Sequence, residues 1–137
     1  MSRLQKFAWF NLAVIGFTVL VVLSLMPFLR SGALGGLGFL GFLGLGALYF
    51  RQRPGQVLID ERDNLIMRRA TILAYALFWV VFVLMAVFVS PLLYGQDGSV
   101  PVLMVQMSVA WGFMLIYVVQ SIAILVQYAG GTRNAES

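Results

Sequence analysis

The sequence predicts an all-α integral membrane protein, a four-helix bundle of two antiparallel helical hairpins with both termini cytoplasmic. Three observations predict it. The 137 residues are 61% hydrophobic and 10% charged, with a mean hydropathy of +0.95, where an ordinary soluble domain carries roughly 25% charged residues. The apolar residues fall into four long runs. The charges are concentrated between the second and third runs, where 51–70, RQRPGQVLIDERDNLIMRRA, holds five of the nine basic and three of the five acidic residues. The length suits one domain, 1–137, whose packing comes from helix against helix within lipid.

The first span is read over 7–29. Arg3 and Lys6 ahead of it look like the start of a signal peptide, but the run is 23 residues long and no A-x-A-like site follows, whereas a signal h-region is about 7–15 residues. It is therefore read as a retained helix. Asn11 and Thr18 lie seven apart on one face, Trp9 sits where an interfacial aromatic belongs, and Pro27 marks the outer end. An outer turn at 30–32 closes the first hairpin. The second span, 33–50, is glycine-rich, and Gly35, Gly38, Gly41 and Gly44 recur every third residue. On an α-helix at about 100° per residue their notch winds around the axis. Gly32 and Gly36 form a GxxxG pair, and Gly35 and Gly46 fall close to one face. These four are the expected sites of close helix crossing.

Arg51, Arg53, Pro54 and Gly55 end that helix and begin a cytoplasmic loop, 51–69. Asp60 suits an N-cap, and Glu61 and Asp63 put negative charge in a first turn, where the helix dipole favours it. A helix from Glu61 through the third span, 70–93, would hold roughly 33 residues and run about 50 Å, so its first turns would project from the membrane. Ser90 and Pro91 weaken its end, and 94–101 is the second outer turn. The fourth span, 102–128, carries the most polar side chains. Gln106, Tyr117, Gln120 and Gln127 form one stripe through Ala110, Phe113 and Ile124. The last residues, GGTRNAES, read as a short disordered tail. With four spans the termini share a side, and that side holds eight basic residues against Arg30 alone on the other. The positive-inside rule makes it the cytoplasmic side of the cell membrane.

Composition excludes most chemistry. There is no cysteine and no histidine, which removes thiol nucleophiles, disulfides, imidazole-held metals and the commonest general base. No carboxylate, lysine or arginine falls in the middle of a span, where coupled carriers usually place an ionisable group. The net charge of +4 is scattered, unlike the stripe that nucleic acid requires, and suits anionic lipid instead. No cofactor is expected, and Asp60 and Asp63 supply too few oxygens for calcium. Asp60, Glu61, Arg62 and Asp63, with Arg68 and Arg69, read either as a capped, locally paired helix start or as a docking surface. The glutamine stripe reads as interhelical glue or as the lining of a conduit.

The run LIDERDNLIMRRA ahead of the third span resembles the juxtamembrane motif of a family of small uncharacterised prokaryotic membrane proteins with four spans. The pattern is D-E-R-x-x-x-I-x-x-[RK]-A, matched here by Asp60, Glu61, Arg62, Ile66, Arg69 and Ala70. That resemblance implies no established activity. Some members are encoded beside small helix-turn-helix regulators, which implies a membrane partner for a cytoplasmic regulator. The glycine-rich second span is not carried over from it. The expected function is thus a non-enzymatic interaction or regulatory module working through its cytoplasmic loop, as a homodimer or with a protein partner. A small channel or carrier along the fourth-span glutamines and an accessory subunit of a larger membrane complex are the alternatives.

Overall fold

The computed structural model describes residues 2–49, 61–94 and 99–133. Helix α1 covers Arg3–Leu29. Its start is a reciprocal cap: the Ser2 amide donates to Gln5 Oε1 at 2.8 Å and the Gln5 amide to Ser2 Oγ at 3.2 Å, so two otherwise orphaned donors are satisfied. Its buried residues, Ala8, Asn11, Ile15 and Thr18, advance by three, four and three, the spacing of a coiled-coil seam. Pro27 lies inside the helix, which continues to Leu29.

The second segment departs from expectation. No separate turn fills 30–32, because a 3-10 helix, Arg30–Gly41, begins directly after α1 and passes into a short α-helix, α2, Phe42–Tyr49. The physical reason is a triplet repeat. Residues 32–43 read GAL-GGL-GFL-GFL, a period of three that matches the three residues per turn of a 3-10 helix. Side chains at i and i+3 eclipse in that winding, and glycine removes the crowding from one row. Gly32, Gly35, Gly38 and Gly41 therefore align as an exposed strip instead of winding around the axis. Leu40 and Leu43 of the leucine row are buried, with Leu34 and Leu37 half-buried. The segment runs antiparallel to α1, with Gly36 opposite Val22 and Gly46 opposite Phe10.

Helix α3, Glu61–Leu84, continues through a π-helical turn, Met85–Val89, into α4, Ser90–Tyr94. Pro91 has no N–H to offer the carbonyl of Val87 four residues earlier, and a wider turn accommodates the lost bond. Helix α5, Val102–Arg133, passes through Gly130 and Gly131, so the tail read as disordered from 130 is helical to Arg133. It packs antiparallel to α3 in nearly constant register, with Tyr128 at Asp63, Gln120 at Thr71 and Gly112 at Phe78.

Helix α5 contacts α3 and α1, and α1 in turn carries the 3-10 helix. Two apolar clusters hold the helices together. Ala8, Ile66, Ala70, Ala123 and Ile124 join α1, α3 and α5 near the termini, and Ile15, Leu40, Leu43 and Met114 join α1, the second segment and α5 further along. Outside these seams large apolar side chains are exposed, among them Trp79, Phe88, Val109 and Trp111. Such a surface suits lipid as solvent, and three helices are long and apolar enough to cross a membrane. Among the described residues every regular element is helical.

Candidate functional site

The charged end is built by the first turns of α3. Asp63, Ile66, Ala70 and Ala74 succeed one another at helical spacing, and the last three are buried, so Asp63 lies on the inward face. There it is half-buried and accepts a hydrogen bond from the Tyr128 hydroxyl of α5. Glu61, Arg62, Arg68 and Arg69 are exposed, and no ion pair forms among the described residues. Asp60, the expected cap, lies outside the described residues, as do Arg51 and Arg53, so the local pairing expected with them is not visible. Arg3 and Lys6 at the start of α1 are exposed as well, and α1 reaches this end through Leu4 and Ala8. The six docking residues thus divide. Four present charge outward, Asp63 ties α3 to α5, and Asp60 is not placed.

Deeper in the bundle Gln120 joins the same two helices. Its Nε2 donates to Thr71 Oγ1 at 2.8 Å and lies 3.7 Å from the Met67 sulfur. The Thr71 hydroxyl donates in turn to the Met67 carbonyl at 2.8 Å. Every link in this chain has a donor and an acceptor, as apolar surroundings demand. The other stripe residues do different things. Gln127 donates to the Ala123 carbonyl of its own helix at 3.2 Å, Tyr117 packs at the second cluster with its ring 4.8 Å from that of Phe113, and Gln106 is exposed. Asn11 and Ser121 are fully buried, and neither side chain has a hydrogen-bond partner among the described residues.

The four glycines singled out for packing also divide. A methyl group at Gly36 would stand 3.0 Å from Val22 Cγ2 and one at Gly46 2.9 Å from Phe10 Cε1, whereas one at Gly35 would meet nothing within 4 Å. Gly32 has only Leu29 of the preceding turn nearby. Gly35 and Gly46 do not share a face, because 3-10 winding over Arg30–Gly41 changes the angle between them. A tighter notch lies at Gly112, where an added methyl would stand 2.7 Å from the Phe78 ring. That position carried no sequence signal, nor did Thr71 and Tyr128, since their partners are dozens of residues away.

Among the described residues no three metal-ligating side chains cluster. An open groove of about 230 Å³ beside the π-helical turn is lined by apolar residues and Ser108, whose hydroxyl donates to the Val105 carbonyl of its own helix at 2.7 Å. The family model described as "Predicted membrane protein (DUF2178)" matches residues 4–128. No curated protein and no solved structure matches the chain.

Proposed function

The chain belongs to the DUF2178 family of predicted membrane proteins, and we propose that it is a non-enzymatic interaction module that presents a charged cytoplasmic surface to a protein partner. In this reading it crosses the cell membrane four times with both termini inside. It works as a homodimer, beside a cytoplasmic regulator, or as a subunit of a larger membrane complex. One observation carries the proposal: Glu61, Arg62, Arg68 and Arg69 face outward without an ion pair among the described residues, while the neighbouring Asp63 is engaged by Tyr128. A loop serving only to anchor the chain on anionic lipid gains nothing from an exposed glutamate, which opposes that attraction. The engagement of Gln120 by Thr71 supports packing as its role, in place of a conduit along α5.

The test is a triple change, Asp60→Asn, Glu61→Gln and Asp63→Asn. Asparagine at 60 still caps, asparagine at 63 still accepts from Tyr128, and exposed ion pairs contribute only about 0–1 kcal/mol each. Helix content and thermal midpoint are therefore expected to stay as they are. Affinity recovery of native partners from membranes is expected to fall, and the single change Asp63→Asn is expected to leave recovery intact. Undiminished recovery by the triple variant would reduce the cluster to a helix cap.

A further inference from the structure

The second segment is apolar and helical over 32–49, near the lower limit of length for a membrane span. Wound as an α-helix throughout it would reach about 27 Å, against a hydrocarbon thickness of about 30 Å. The 3-10 helix over Arg30–Gly41 changes that length, because it rises about 2.0 Å per residue instead of 1.5 Å, and 32–49 then reaches about 32 Å. We propose that Arg30–Gly41 is an extensible coil, held in 3-10 winding by a thick bilayer and relaxing toward α winding in a thin one.

Three features of the segment support a change of winding at modest cost. The repeat GAL-GGL-GFL-GFL places glycine wherever one eclipsed row would crowd, so the extended form is sterically open. A 3-10 helix has poorer hydrogen-bond geometry than an α-helix and is rarely longer than three or four residues, so a run of twelve is held by its surroundings. Those surroundings are one-sided. The leucine row packs against Ile15 and Met114, while Gly35, Gly38, Gly41 and Gly44 have nothing within 4 Å of the position a methyl would take. Tightening to α winding would turn each residue through about 100° instead of 120°, sweeping the glycine strip around the axis and drawing the two ends of the segment together. The bilayer supplies the bias, since mismatch between span and hydrocarbon thickness is relieved by whichever element yields most easily.

The inference rests on reading this segment as a span, and spin labelling tests the two separately. The chain has no cysteine, so labels can be placed through Gly32→Cys and Leu45→Cys, both at exposed positions. Their separation along the axis is about 24 Å with the present winding and about 20 Å as α-helix throughout. In vesicles of long-chain erucoyl phosphatidylcholine the longer distance is expected, and in short-chain myristoleoyl phosphatidylcholine a distance about 4 Å shorter. A control pair in α1, Trp9→Cys with Leu20→Cys, is expected to stay constant. An unchanged distance between the first pair, or an equal change in the control, overturns the proposal.

A second variant, Gly35→Ala with Gly38→Ala and Gly41→Ala, introduces no contact with a neighbour but restores an eclipsed row and favours α winding. It is expected to hold the short distance in both bilayers. Retention of the long distance and the full response would remove the glycine row from the mechanism. Depth is read from the same samples by collision with oxygen. Two labels at equal, shallow depth would sink the span reading itself, a result distinct from an unchanged distance.

Discussion

At the scale of single residues, two half-buried polar side chains, Gln120 and Thr71, lock α5 to α3, whereas the fully buried Asn11 and Ser121 have no hydrogen-bond partner among the described residues. Gln120 donates across to Thr71, and the Thr71 hydroxyl donates in turn to the Met67 carbonyl. Such bonds between membrane helices contribute roughly 0.6–2 kcal/mol, because the unfolded helices also find polar partners. Gln120→Leu and Thr71→Val are each expected to lower stability within that range. The double variant should be no worse than the poorer single one, which a thermodynamic cycle in detergent would detect as coupling. Additive losses would mean that the two side chains act apart. Reconstituted protein is expected to pass no ions before or after the change, and a flux altered by Gln106→Leu or Gln120→Leu would revive the conduit.

At the scale of elements, helix contacts are made where glycine admits a ring or a branched side chain, and the strip of glycines in the second segment is not such a contact. Phe78 fills the notch at Gly112, and Phe10 fills the one at Gly46. Gly112→Ala is therefore expected to cost about 1–3 kcal/mol by forcing the Phe78 ring aside, with recovery in the double variant Gly112→Ala/Phe78→Leu. Gly44→Ala meets nothing within 4 Å and is expected to be neutral or stabilising through helix propensity. Equal thermal midpoints for Gly112→Ala and the native chain would mean that α3 and α5 separate easily. The π-helical turn before Pro91 belongs to the same scale, since a missing donor in one residue reshapes a whole turn.

For the whole molecule, the threading proposed above follows from the distribution of basic residues, and it can be read chemically in a cysteine-free chain. Cysteines introduced at Ser2, Gln56 and Ser137 are expected to react with an impermeant reagent only when the cytoplasmic side is opened, and one at Ser99 in intact cells. Reaction at Gln56 in intact cells would invert the topology and remove the docking surface from the cytoplasm. The convergence of α1, α3 and α5 near the termini makes this surface a composite one. Deleting Tyr128's hydroxyl with Phe would loosen α3 there without changing any charge.

Membrane residence and the positions of three long helices were legible in the sequence, because length and hydropathy are local properties that any window of twenty residues reveals. The start of α3 at Glu61 was legible for a similar reason, as acidic residues there meet a helix dipole. The glycine period was visible too, yet its meaning was misread. A period of three winds around an α-helix and runs straight along a 3-10 helix, and the choice between the windings depends on which leucines find Ile15 and Met114 to pack against. Tertiary structure alone decided that Asp63 turns inward to Tyr128 while Glu61 faces outward, that Gln120 finds Thr71, and that Gly112 rather than Gly35 receives a neighbour. These are pairings between residues distant along the chain, and only the antiparallel register of α3 and α5 brings such partners to one level.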